Sequence, residues 1–126
     1  MFILNLALSA ESISEKKEKK LLNEGEISVI NNISSIPSNE FGHFKYLQNI
    51  KLGDNIETIG DSAFEECYNL QQFIAPKKLK SINTAVFKQC YSLSSLNLNV
   101  GLSSIGCNAF ESCEKLSSIN IPLTVK

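Results

Sequence analysis

One period governs this sequence: apolar residues return every 23 positions. Leu47 is followed at that step by Leu70, Leu93 and Leu116, and Ile50 by Phe73, Leu96 and Ile119. The step also links Ile56, Leu79, Leu102 and Val125, and it links Ile59, Ile82 and Ile105. Phe64, Phe87 and Phe110 keep it, as do Cys67, Cys90 and Cys113. One period earlier, Ile27, Val29, Ile33, Ile36, Phe41 and Phe44 continue the pattern, and only Glu24 breaks the leading Leu column. Such regularity rules out a globule with a varied core and calls for a stack of like units. The units are 24–46, 47–69, 70–92 and 93–115, followed by the opening strand of a fifth in 116–126.

Within a unit the spacing reads as structure. Leu93–Leu98 is L-x-x-L-x-L and Leu116–Ile121 is L-x-x-I-x-I, ending in the period-2 alternation of a strand with one buried face. Gly53, Pro76 and Pro122 then turn the chain. A second short segment (Ile56–Ile59, Leu79–Ile82, Leu102–Ile105) supplies two more inward residues. Gly60, Asn83 and Gly106 occupy a position where a positive φ is tolerated. The A-F-x-x-C segments, Ala63–Cys67 and Ala109–Cys113, set Phe and Cys three apart, as one face of a short helical turn does. A single unit buries too few apolar side chains to offset the ordering of its backbone, so units must stack. The expected object is a solenoid with parallel strands about 4.8 Å apart from rung to rung.

The unit L-x-x-I-x-I-P-x-x-[LV]-x-x-I-G-x-x-A-F-x-x-C resembles the 23-residue leucine-rich repeat of the BspA-like surface-antigen family, over residues 24–126. Val86 departs from the Ala column, and Ala75 stands where Leu52, Leu98 and Ile121 do. The first unit carries Glu40 and Phe44 in place of Ala and Cys, as a capping repeat would. The resemblance implies an α/β solenoid, a leucine-rich repeat domain of parallel strands stacked in a right-handed superhelix with short helical turns. It further implies a non-catalytic protein-binding or adhesion module at a cell surface or secreted, its partner a host or self surface protein. An intracellular repeat scaffold for protein–protein interaction is the alternative.

Side-chain chemistry points the same way. The chain has 12 basic residues, all Lys, against 13 acidic ones, for a net charge of -1. Near-neutrality removes the phosphate-neutralising basis of general nucleic-acid binding, and the absence of Arg removes bidentate anion recognition. One histidine, His43, leaves little for acid–base catalysis near neutral pH. It falls in the column of Glu66, Gln89 and Ser112, read as an outer polar edge. Cys67, Cys90 and Cys113 form one column with Cys107 outside it, a spacing that matches no metal-ligand pair. They read as small buried hydrophobes at a tight corner. No catalytic residue, cofactor or metal is expected.

The candidate binding surface is the solvent face of the strands. It comprises Asn49, Gln72, Ser95 and Ser118 beside Lys51, Ile74, Asn97 and Asn120, mostly small, neutral and able to hydrogen-bond. Residues 1–23 form a separate region. Met1–Leu8 is an apolar stretch that faintly resembles a secretory signal without a basic start, too short to span a membrane. A charged capping helix follows over 11–24, with Ser14 as its N-cap and Gly25 near its end. Asn32-Ile33-Ser34 is a glycosylation sequon, usable only on secretion. The break after Lys126, inside a repeat, leaves a rung open to end-to-end self-association or to continuation in a longer array.

Overall fold

The computed structural model describes residues 33–126 and, before them, two strands at 3–6 and 26–29. The L-x-x-I-x-I segments give the longer strands: β1 (Ile3–Leu6), β2 (Glu26–Val29), β4 (Asn49–Leu52), β6 (Gln72–Ile74) and β8 (Ser95–Asn97). The second segment of each unit yields a strand of two residues: β3 (Ser35–Ile36), β5 (Thr58–Ile59), β7 (Ser81–Ile82) and β9 (Ser104–Ile105). Both sets pair in parallel, and every pair is offset by one period, as in Ile27 with Ile50, Phe73 with Leu96 and Ile59 with Ile82. The sheet orders are β1-β2-β4, β6-β8 and β3-β5-β7-β9. The same offset joins Leu4 to Ile27, so the N-terminal apolar stretch contains a strand in register with the repeat. The charged helix expected over 11–24 and the sequon at Asn32 lie outside the described residues.

The third side of each rung corrects one expectation. Among the described residues there is no helix, and the A-F-x-x-C segments are chains of turns. The reason lies in where alternate amides go. In the second unit, the amides of Ala63, Glu65 and Cys67 bond within the turn, to Gly60, Ser62 and Phe64. Those of Ser62, Phe64 and Glu66 bond forward, to the carbonyls of Thr84, Val86 and Lys88 in the next rung. The same alternation recurs in the first and third units. A helix would need these forward amides for its own i→i−4 bonds. Left-handed residues at both ends of the segment enforce the choice: Ser62 (φ 56) and Glu66 (φ 60), Ala85 (φ 57) and Gln89 (φ 60).

The glycines also do something other than expected. No described glycine has a positive φ; the left-handed positions come two residues later, at Ser62, Ala85 and Asn108. Gly60 and Gly106 are needed for close approach. A Cβ on Gly60 would lie 2.6 Å from the Ser38 backbone nitrogen, and one on Gly106 2.5 Å from the Asn83 carbonyl carbon. Nothing but hydrogen fits between those rungs without a shift of backbone.

Each apolar column closes on its neighbours. Leu47, Leu70, Leu93, Ile56, Leu79 and Leu102 are fully buried, as are Phe41, Phe64 and Phe87. The Phe column is a ring stack, with centroids 5.4, 5.5 and 5.6 Å apart from Phe41 through Phe64 and Phe87 to Phe110, and interplanar angles of 9°, 4° and 7°. Phe73, the largest member of its column, turns in against Phe87 at 4.7 Å. The ladder of longer strands lapses at that rung, between β4 and β6. Glu40, in the Ala column of the first unit, is buried as well.

Candidate functional site

Three groups of chemistry-bearing residues are placed by this architecture, and the thiols are the simplest. Cys67, Cys90 and Cys113 are free and buried, whereas Cys107 is free and exposed. Each column thiol donates to a phenylalanine carbonyl one rung back, to Phe41, Phe64 and Phe87 respectively, all at 3.1 Å. Cysteine suits this corner because it is small, apolar and still has a weak donor to offer. Burial pushes the Cys67 thiol up to about 12 and the Cys113 thiol to about 11, and it pushes Cys90 up too. A thiol held protonated is a poor nucleophile and a poor metal ligand.

The second group lies on the turn side. His43 is exposed, as its polar column implied, and its Nδ1 lies 2.7 Å from Glu66 Oε2. The Tyr68 hydroxyl donates to the same oxygen at 3.2 Å, and Tyr68 stacks on Tyr91 at 5.2 Å. No cysteine hydrogen-bonds to the His43 ring among the described residues, and none of their His, Cys, Asp and Glu side chains form a cluster able to hold a metal. These contacts link three successive rungs, His43 to Glu66 and Tyr68 to Tyr91.

The third group is the strand face. Lys51 on β4, Gln72 and Ile74 on β6, and Ser95 and Asn97 on β8 are exposed, and Asn49 on β4 is half-buried. Ser118 and Asn120 are exposed but lie past the last strand, so the opening strand expected over 116–126 does not form. Alternation along β6 explains the placement, since Phe73 turns in while Gln72 and Ile74 turn out. Ile74 keeps 61% of its surface exposed, an apolar side chain among amides and hydroxyls.

A column missed in the sequence borders this face: Gln48, Gln71, Ser94 and Ser117, all exposed. The Gln71 amide donates to the Gln48 carbonyl at 2.9 Å, which carries hydrogen bonding across the gap between β4 and β6. Its signal was available, because the first x of each L-x-x-I-x-I is polar. Beyond the strands, side chains hold the loops to the preceding rung. Asn99 donates to the Leu79 carbonyl at 2.7 Å, and Ser103 to that of Lys80 at 2.9 Å. No helix among the described residues is long and apolar enough to cross a membrane.

Comparison with known proteins completes the description. The family model for the BspA type leucine rich repeat region matches residues 11–126, in six copies. No curated protein sequence matches the chain. The fold is similar to a crystal structure of a T. pallidum leucine-rich repeat protein, with a TM-score of 0.80 and 25% identity, over 82% of this chain and 51% of that one. It is similar to a leucine-rich repeat protein from Bacteroides ovatus, with a TM-score of 0.69 and 29% identity, over 72% of this chain and 29% of the other. A third, from Eubacterium ventriosum, has a TM-score of 0.73 and 27% identity, over 79% of this chain and 27% of the other. The chain thus spans about half of the first of these proteins and under a third of the other two.

Proposed function

The chain belongs to the BspA-type leucine-rich repeat family, and from that membership we propose a non-catalytic module that binds protein through its strand face. Repeat families of this kind generally serve as interaction modules, their stacked strands forming an extended surface. One observation carries the reading for this chain. Its strand face carries mostly neutral polar side chains together with Lys51, and an apolar residue, Ile74, is left 61% uncovered. Single exposed apolar residues are common on soluble surfaces, so Ile74 supports the reading only together with the stacked repeat architecture, and it is the position at which the reading is tested.

Adhesion at a cell surface, or in the secreted state, is the setting this reading favours, with an intracellular scaffold as the alternative. End-to-end self-association belongs to the same reading. Mass spectrometry of the mature protein separates the settings. Cleavage near Ala10 with a glycan on Asn32 excludes the cytosolic scaffold, and an intact, unmodified N-terminus argues against secretion.

The binding role is tested with Ile74→Lys. The parent chain and the variant are immobilised side by side and exposed to the same extract of surface and secreted proteins. Proteins retained by the parent alone are repurified and titrated. An affinity loss of about tenfold or more, with an unchanged unfolding transition, supports the face as the site. Equal affinity for both chains removes it.

A further inference from the structure

Charge is unevenly distributed along the stack. Residues 47–69 hold Lys51 against Asp54, Glu57, Asp61, Glu65 and Glu66, whereas residues 70–92 hold Lys77, Lys78, Lys80 and Lys88 and no carboxylate. Most of this opposition is used internally, one rung against the next. Lys80 pairs with Glu57 at 2.9 Å and holds that carboxyl below its ordinary range. Lys88 lies between Glu65 and Glu111, at 4.0 and 3.5 Å, and Lys78 donates to Asn55 at 3.1 Å. Glu66 holds His43, and Asp61 accepts the Thr84 amide at 3.1 Å.

Of the five lysines in residues 47–92, two stay out of these pairings. Lys51 and Lys77 are exposed, and among the described residues neither makes an ion pair or a side-chain hydrogen bond. They bracket Ile74: Lys51 precedes it by one period in the same column, and Lys77 follows it in the loop after β6. Around β4, β6 and β8 the remaining strand-face positions are neutral: Gln48 and Asn49, Gln71 and Gln72, Ser94, Ser95 and Asn97; Glu26 stands one rung earlier, on β2 in the Asn49 column. Asp54, one period before Lys77 in the loop after β4, is exposed and forms no ion pair with it. The face therefore offers an apolar spot flanked by two uncommitted ammonium groups, with no carboxylate on β4, β6 or β8.

Resting on the strand-face reading, we propose that the occupant is an extended acidic polypeptide segment, with an apolar side chain seated on Ile74 and carboxylates against Lys51 and Lys77. Charge complementarity selects the acid, and the exposed isoleucine selects polypeptide over a purely charged polymer. A nucleic acid or sulfated polysaccharide would meet only two free cations here and no arginine.

The test uses the full chain and fluorescent peptides of about a dozen residues, built on Glu-Leu-Glu-Ser, Gln-Leu-Gln-Ser or Lys-Leu-Lys-Ser repeats and followed by anisotropy. The Glu peptide is expected to bind about tenfold or more tighter than the Lys peptide at low salt, with the gap narrowing as salt is added. A double variant, Lys51→Glu with Lys77→Glu, reverses that order, whereas Lys45→Glu on the turn side leaves it unchanged. Ile74→Ser weakens the Glu and Gln peptides alike, by about tenfold. Circular dichroism is the check that each variant is folded. Equal affinity for Glu and Gln peptides, both lost in Ile74→Ser, keeps the strand-face reading and overturns the acidic partner. A preference that survives the double variant overturns it too. Binding of a heparin oligosaccharide or an oligonucleotide through Lys51 and Lys77, with none of the peptides bound, overturns both.

Discussion

The turn side and the strand face of this stack obey opposite rules. On the turn side every rung repeats the last: Phe stacks on Phe, each column thiol donates to a Phe carbonyl, and alternate amides bond forward. On the strand face the outward column changes at each step, from Lys51 to Ile74 to Asn97, and the ladder itself lapses between β4 and β6. The difference separates what holds the rungs together from what they display. Where neighbouring rungs must fit to within a few tenths of an ångström, residue choice is narrow. Where side chains meet only water, it is free, and that freedom is where specificity can be written.

The sharpest way to break the comparison is to remove a ring from the stack. Phe87 touches Phe64, Phe73 and Phe110, and it is fully buried. Phe87→Ala is expected to cost about 3–5 kcal/mol, read as a lower urea midpoint, because rungs on both sides lose their packing. Ile74→Lys, one strand away, is expected to move the same midpoint by less than about 0.5 kcal/mol. Gly106→Ala comes next. A methyl group placed 2.5 Å from the Asn83 carbonyl carbon forces two rungs apart, at about 1–3 kcal/mol. If Gly106→Ala unfolds at the parent's midpoint, close rung approach is not what this position requires.

How far these rules can be read in the sequence follows the same division. The period, the parallel stacking and the inward columns were legible because Leu47, Leu70 and Leu93, or Phe64 and Phe87, each repeat one packing demand. The short helical turns were misread. Phe64 and Cys67 at a spacing of three fit a helix face equally well, and nothing local reveals that Ser62 and Glu66 take a left-handed φ. Asn39 and Asn108 hint at it, being among the residues that tolerate that region, but Ala85 in the same column hides the pattern. The glycines were located correctly and explained wrongly, because close approach is a property of two rungs and a sequence is read one rung at a time. On the strand face the outward positions were legible from alternation. The free state of Lys51 and Lys77 was not, since it depends on which acids the other lysines had already engaged.

The thiol column offers a gentler probe of the turn side. An unfolded thiol ionises near its ordinary value of about 9, whereas folded Cys67 is pushed up to about 12. Between those values the unfolded chain releases a proton that the folded chain keeps. The stabilisation is therefore complete below pH 9 and declines as pH rises toward 12. The expected slope is about 1.4 kcal/mol per pH unit for each of Cys67 and Cys90 within that window, followed by urea unfolding at successive pH values. A Cys67→Ala, Cys90→Ala variant flattens the profile by that amount. In the native state at neutral pH, a thiol reagent should label Cys107 and leave the column untouched.

The smallest effect isolates backbone strain. Ser112 holds φ at 60° on the exposed turn side, with no side-chain hydrogen bond among the described residues. A left-handed residue with a Cβ costs about 1–2 kcal/mol, and glycine removes that cost. Glycine also loosens the unfolded chain, which offsets about 0.4–1 kcal/mol of the gain. Ser112→Gly should therefore stabilise the stack by about 0.5–1 kcal/mol, seen as a slightly higher urea midpoint. The same change on the strand face, Ser95→Gly, meets an extended backbone in β8 and should destabilise by a similar amount. Opposite signs for one substitution at two exposed serines would show that the turn side is constrained in its backbone as well as in its packing. Equal signs would confine the constraint to the Phe and Cys columns.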